Sequence, residues 1–161
     1  MIYNDQMITS SPGRIHEVLG HSYTVYFVAI IAGFIADSFF PFRIFSSFFM
    51  SLGFVFMVFA SFLIYWAQHT SGRTASLRKN ISEITAKDFR QGPYVFFRSP
   101  THIGLFFLSF GVGLMANSAV IASAALIAFL VTHFKYVREE EAILLARYGN
   151  AYRDYKKIVR F

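Results

Sequence analysis

Three polar residues and a proline lie at the start of a long apolar segment, and the polar side chains are suited to ligand binding and proton transfer. In "GPYVFFRSPTHIG" (92–104), Arg98, Ser99, Pro100 and His102 lie where a polar stretch meets 36 residues without a formal charge. Ser99 and Pro100 predict the N-cap and first position of a helix, because serine can accept a bond from a free N–H and proline needs no donor there. Arg98 beside that helix end favours an anion. The alternative is a helix cap with interfacial anchors.

A second polar cluster follows the last apolar run. Glu139, Glu140 and Glu141 are adjacent acids, which on a solvated surface would be unremarkable. One helical turn later an apolar stripe begins, with spacings of 4, 4 and 3 residues. Gly149 is expected to bend or end this helix. The helix could lie on lipid headgroups, close a pocket, or do both. The stripe consists of Leu144, Tyr148, Tyr152 and Tyr155.

Composition indicates an integral membrane protein. Of the 161 residues, 55% are apolar, and they are concentrated in two uncharged runs, of 29 residues between Arg43 and Arg73 and of 36 between Arg98 and Lys135. A bilayer span takes about 20 mainly apolar residues. The chain has no cysteine, which excludes disulfides, thiolate metal sites and a cysteine nucleophile. No metal site is indicated, and the first apolar run is expected to be a retained anchor.

Hydropathy predicts an all-α polytopic domain over 1–161, with spans at 22–42, 44–68, 100–116 and 119–136. The final 36-residue run would reach roughly 54 Å as one helix, against a bilayer core of about 30 Å, so Asn117 and Ser118 are expected to turn a hairpin. Gly111 and Gly113, inside the third span, are expected to serve helix packing. Asp37 lies within the first span, and its role is open.

The distribution of basic residues predicts the orientation. The first 21 residues carry one basic residue, and the turn between the first two spans carries another. The tail, residues 137–161, carries seven when Lys135 is counted with it. With four spans, the connection 69–98 and the tail share the cytoplasmic side, so both termini are expected there. If the protein is prokaryotic, that membrane is expected to be the plasma (inner) membrane. The net charge of +6 suits anionic lipid headgroups rather than nucleic acid. Six basic residues lie in the connection: Arg73, Arg78, Lys79, Lys87, Arg90 and Arg98.

Three motifs in order resemble the isoprenylcysteine carboxyl methyltransferase family and its phospholipid methyltransferase relatives, over about residues 50–158. The family carries W-A-x-x-T-x-G, which "WAQHTSG" (66–72) resembles. It then carries G-x-Y-x-x-x-R-H-P-x-Y-x-G, a hairpin, and E-E-x-x-L-x-x-x-F-G-x-x-Y-x-x-Y. Ser99 replaces the histidine of the second motif, His102 its second tyrosine, and Tyr148 the phenylalanine of the third. The matching residues are Gly92, Tyr94, Arg98, Pro100 and Gly104, and then Glu140, Glu141, Leu144, Gly149, Tyr152 and Tyr155.

The resemblance implies a methyltransferase that uses S-adenosylmethionine (SAM). Glu140 and Glu141 would then face the ammonium and ribose end of the cofactor, and Arg98 its anion. Arg98 and His102 are the candidate catalytic residues, with His102 supplying the imidazole that Ser99 lacks; an ordinary interfacial histidine is the alternative. The candidate cofactor-binding residues are Tyr94, Arg98, Ser99, Pro100, His102, Gly104, Glu140, Glu141 and Tyr148.

The acceptor implied by this resemblance is lipidic or small and apolar, and it enters from the bilayer. A carboxylate or thiolate acceptor needs no base, whereas an amine or thiol would need His102 or His69. Tyr94, Phe97 and Tyr148 could attract the sulfonium by cation–π contacts, or simply pack. Two other functions stay open: a catalytically silent membrane adaptor of the same fold, and a nicotinamide-dependent membrane reductase. The sequence does not indicate the oligomeric state.

Overall fold

The computed structural model describes residues 12–43, 46–77 and 84–159, and these form helices and connections with no strand. The predicted all-α class is therefore confirmed for this part of the chain. Residues 1–11 lie outside this part of the chain, as do Arg78 and Lys79. The helices are α1 (Pro12–Phe39), α2 (Ser47–Leu77), α3 (Ala86–Phe89), α4 (Pro100–Met115), α5 (Ala119–Thr132) and α6 (Arg138–Ile158), with a 3₁₀ turn at Gly92–Val95 and a π-helical segment at His133–Val137.

Three of the helical stretches are long and apolar enough to cross a membrane: Gly20–Phe39, Ser47–Ser71 and the stretch that begins at Ala119 and runs on into α6. The outward faces of α1, α2 and α5 expose large apolar side chains, as expected where lipid replaces water. Helix α4 has 16 residues and so spans about 24 Å, less than a full bilayer core. The protein is an integral membrane protein, and the count of four spans stays a prediction.

Helix α4 is enclosed between α2 and α5, and glycines allow the close approach. A Cβ added to Gly111 would lie 2.8 Å from the carbonyl oxygen of Gly53 on α2. One added to Gly113 would lie 2.5 Å from the amide nitrogen of Ala122 on α5. Real Cβ contacts are not this short, so any larger residue would push the helices apart. The predicted packing role of Gly111 and Gly113 is confirmed.

The predicted hairpin turn is also confirmed. Asn117 takes a positive φ of 52°, a conformation that asparagine tolerates better than most residues. Ser118 caps α5 by accepting a hydrogen bond from the amide of Ile121 at 3.2 Å. The spans on either side end within a few residues of their predicted limits. Beyond α5, however, the helix does not stop, because the π-helical segment carries it directly into α6.

Asp37, whose role the sequence left open, ties the first helix to this turn. Its Oδ1 accepts a hydrogen bond from Ser118 Oγ at 2.6 Å, and its Oδ2 lies 3.0 Å from Nη2 of Arg43. Arg43 also donates from Nη1 to the carbonyl oxygens of Ala116 and Asn117, at 3.2 and 3.3 Å. A carboxylate in an apolar span is costly unless it is paired. These contacts supply the pairing and fix α1 to the hairpin.

We predict that Asp37→Ala destabilises the protein by about 1–3 kcal/mol, because it removes the partner of Arg43 and leaves the buried Ser118 hydroxyl without its acceptor. Thermal unfolding in detergent measures the effect. Ser38→Ala is the matched control, since Ser38 is exposed and its hydroxyl bonds only to the carbonyl of Phe34 in its own helix among the contacts described. Equal melting temperatures for the two variants would contradict the assignment.

Candidate functional site

The site begins at the amino end of α4, where Ser99 is the N-cap and Pro100 the first helical residue, as predicted. The predicted side-chain cap is wrong, because within the described residues the Ser99 hydroxyl accepts no capping hydrogen bond. The cause is the backbone: ψ at Ser99 is 67°, outside the extended range that turns an N-cap side chain back towards the helix. Only the carbonyl of Ser99 bonds to the first turn, accepting from Ile103 at 3.4 Å.

Arg98 reaches across from the amino end of α4 to the start of α6. Its Nη1 donates to Oε1 of Glu141 at 2.5 Å, and Nζ of Lys156 donates to Oε2 of the same carboxylate at 2.7 Å. Only 22% of the Arg98 side chain and 17% of the Glu141 side chain are exposed, so water screens this pair weakly. Both oxygens of Glu141 therefore have cationic partners within the chain. The expected anion for Arg98 is here a residue of α6.

His102 and Glu140 form a second, more deeply buried pair beside the first. The Nε2 atom of His102 lies 3.3 Å from Oε2 of Glu140, with 3% of the histidine side chain exposed. The two atoms are close enough for an ion pair but are not aligned for a hydrogen bond. Considering only residues placed in the structure, both ring nitrogens and Oε2 lack a hydrogen-bond partner. Buried polar atoms in this state are rare in native proteins, where a bound water, an ion or a catalytic role accounts for them.

Tyr94 lies next to this pair, in the 3₁₀ turn. Its phenol bonds with the side chains of Ser71 and Thr101, and burial, reinforced by the carboxylate of Glu140, raises the pKa of Tyr94 to about 12. The phenol thus stays neutral at physiological pH. The turn requires Gly92, which has a φ of 55° and would bring a Cβ to within 2.5 Å of Oγ1 of Thr70. The first two motifs therefore meet in space.

Helix α1 also borders the site, although no sequence motif indicated it. The amide of Gln68 on α2 donates to the hydroxyl of Tyr23 on α1 at 3.0 Å. Tyr23 also packs against the buried cluster that contains Leu105 of α4. A lone tyrosine at the edge of an apolar span gives no signal that separates this role from an interfacial anchor.

The tail folds back where glycine interrupts it. Gly149 has φ 54° and ψ −123°, which confirms the predicted bend inside α6. Rings of Tyr148, Tyr152 and Tyr155 surround Phe89 of α3, at centroid distances of 5.1, 5.5 and 5.6 Å. Leu144 packs on the same cluster. The apolar stripe is thus buried against α3 rather than presented to headgroups, and Phe89 is a partner that the sequence did not reveal.

The other predicted site residues serve packing or lie apart. Gly104 lies against α2, where a Cβ would come within 2.5 Å of Cγ1 of Ile64, and Pro100 is fully buried. His69 stacks on Tyr65 on the exposed side of α2, with ring centroids 5.9 Å apart. Tyr148 contacts Phe89 and lies under the guanidinium of Arg147. The cofactor contacts expected of these residues stay predictions.

Comparison with protein families gives a match that covers most of this region. The sequence model of the phospholipid methyltransferase family matches residues 48–151, well over half of the chain. A search of curated proteins gives no significant match. Solved structures give none either. The matched range runs from the second residue of α2 to Ala151 in α6, and so includes both buried pairs.

The missing cap gives a direct comparison between two serines. We predict that Ser99→Ala changes the free energy of unfolding by less than about 0.5 kcal/mol, because no hydrogen bond of its hydroxyl to the helix is lost. Ser118→Ala should cost about 1–2 kcal/mol, since Ser118 caps α5 and bonds to Asp37. Thermal or chemical unfolding in detergent separates the two. A larger loss for Ser99→Ala would mean that its hydroxyl does cap α4.

Proposed function

The chain belongs to the phospholipid methyltransferase family, and we propose that it transfers the methyl group of SAM to a lipidic or small apolar acceptor at the cytoplasmic membrane face. The observation that carries the proposal is the buried pair of His102 and Glu140, whose polar atoms face one another without hydrogen-bond partners in the described chain. Such atoms are suited to a polar ligand that completes their bonding.

The residues present fit SAM, which carries an ammonium, a carboxylate and a sulfonium. Oε2 of Glu140 can accept a hydrogen bond from the ammonium or the ribose. The first turn of α4 offers backbone N–H groups to the carboxylate, and the Ser99 side chain does not cap that turn in the described structure. Because Arg98 and Glu141 neutralise each other, Glu140 rather than Glu141 is the carboxylate left for the ligand. This refines the expectation that both acids bind the cofactor.

When bound, SAM supplies an electrophilic methyl group on sulfur. The task of the protein is to hold the acceptor in line and exclude water, which proximity and burial at the end of an apolar bundle can provide. The acceptor group is a carboxylate, an amine or a thiol. For an amine or a thiol, Nδ1 of His102 is placed to take the proton, because Nε2 faces Glu140. The carboxylate of Glu140 then stabilises the imidazolium.

The membrane-spanning helices support entry of the acceptor from the bilayer, and the basic connection supports access of SAM from the cytoplasm. In this orientation the amino end of α4 and the start of α6 lie at the cytoplasmic face, with both termini. The Asp37–Arg43 contacts lie at the opposite face. No observation favours the silent adaptor or the nicotinamide-dependent reductase over this function.

We predict that Glu140→Gln weakens SAM binding by roughly 10- to 150-fold, the range expected when a charged hydrogen bond is lost. Glu139→Gln is the matched control. Because Glu139 is exposed, its substitution should leave the affinity for SAM unchanged. Isothermal titration of the purified protein with SAM measures both. Unchanged affinity in a folded Glu140→Gln variant would refute the assigned role.

The proposed orientation has its own test, since the absence of cysteine makes every introduced thiol unique. We predict that Lys87→Cys, in the exposed connection, reacts with a membrane-impermeant thiol reagent only from the cytoplasmic side. Met115→Cys, at the hairpin turn, should react only from the other side. Labelling of Met115→Cys from the cytoplasmic side would overturn the orientation.

A further inference from the structure

The segment after Gly149, residues 150–159, folds back over the site, and we call it the strap. A Cβ added to Gly149 would meet no atom within 4 Å, so space does not require a glycine there. The backbone does require it, because φ 54° with ψ −123° is a conformation that residues with side chains rarely adopt. The glycine therefore sets the direction of the strap.

Among the described residues, two polar contacts hold the strap, and both end on residues of the site. Nζ of Lys156 donates to Oε2 of Glu141 at 2.7 Å. The hydroxyl of Tyr155 donates to the backbone carbonyl of Tyr94 at 2.9 Å. Lys156 is 34% exposed at its side chain, so this ion pair is half-buried rather than fixed in a core. The strap thus contacts both the 3₁₀ turn and the start of α6.

Apolar contacts complete the attachment. Tyr152, Tyr155 and Val159 are almost fully buried, at 2%, 2% and 4% exposure, and pack around Phe89 of α3. This small cluster is separate from the core between the membrane-spanning helices. The strap follows a glycine and is held by one small cluster and two described polar contacts. Segments held this weakly can open locally without global unfolding.

We propose that the strap assembles the site and that Lys156 is a positioning residue for SAM binding. Lys156 holds one oxygen of Glu141 and so keeps that carboxylate against Arg98. Neither Arg98 nor Glu141 then competes with Glu140 for the charged groups of the ligand. Through Tyr155 the strap also fixes the backbone of Tyr94, whose phenol borders the same pair. The proposal rests on the proposed function, because it names SAM as the ligand whose binding is coupled to strap closure.

The test measures strap opening and SAM binding separately. In the full-length protein, Val159→Cys places a thiol at a buried position on the strap, and its rate of reaction with a thiol reagent reports opening. Ile158→Cys, at a position that is 54% exposed, is the control that should react rapidly throughout. SAM should slow the reaction of Val159→Cys and leave that of Ile158→Cys unchanged.

Substitutions at the polar contact then link the two measurements. Adding Lys156→Gln should raise the labelling rate of Val159→Cys and weaken SAM binding, each by roughly three- to tenfold, and Lys156→Arg should restore both. Lys157→Gln is the matched control, because Lys157 pairs with exposed Asp154 and should change neither quantity. Gly149→Ala should also speed labelling, whereas Gly20→Ala, another glycine with open space but no positive φ, should not.

The outcomes separate this inference from the proposed function. If Lys156→Gln and Gly149→Ala leave the labelling rate of Val159→Cys unchanged, the proposal that the strap opens is overturned. Faster labelling with unaltered SAM affinity overturns the positioning role of Lys156, and so does an affinity that Lys156→Arg fails to restore. If the parent protein binds no SAM, the proposed function fails and the coupling fails with it, while the labelling rates still decide whether the strap opens.

Discussion

The ion pair between Arg98 and Glu141 joins the amino end of α4 to the start of α6, which are 43 residues apart in the chain. Much of the site depends on it. Beside this ion pair, Nε2 of His102 and Oε2 of Glu140 lie 3.3 Å apart, at the polar end of an apolar bundle. The pair also gives Lys156 a carboxylate to bind, and so fixes the tail after its bend.

The α4–α5 hairpin is held by charges at both ends and by close packing between them. At the turn, Asp37 and Arg43 bind Ser118 and the carbonyls of the turn. At the other end, the Arg98–Glu141 ion pair joins the start of α4 to the start of α6. Between them Gly111 and Gly113 bring three helices together. A lipid environment provides no water for polar groups, so each charge in or near a span needs a partner within the chain.

Features set by local chemistry could be predicted from the sequence. Long uncharged runs placed the membrane-spanning helices, Asn117 and Ser118 placed the hairpin turn, and glycine at 149 placed the bend. These three predictions hold because each depends on residue type and near neighbours. The resemblance to a family, rather than local chemistry, indicated Arg98, His102, Glu140 and Glu141, which the structure brings together and whose cofactor contacts stay predictions.

Features set by the tertiary fold could not be predicted. Residue preferences identified Ser99 as an N-cap but could not give its ψ. The expected cap bond is missing because of that ψ. Nothing in the spacing of Arg98, Glu141 and Lys156 shows that they share a carboxylate, because that contact requires the hairpin and the bend together. Phe89 likewise lies in a four-residue helix too short to show a pattern. Tyr23 lies on α1, outside the range that the family model matches.

We propose that the His102–Glu140 pair lies at the centre of a methyl-transfer site. The most direct measurement reconstitutes the purified protein in vesicles made from a total lipid extract and supplies SAM with a deuterated methyl group. Mass spectrometry of the lipids then detects transfer. We expect a deuterated methyl lipid with the parent protein, and a large loss of it with Glu140→Gln but not with Glu139→Gln. A folded parent protein that labels no lipid would contradict a lipidic acceptor, and equal labelling by the two variants would contradict the role of the His102–Glu140 pair.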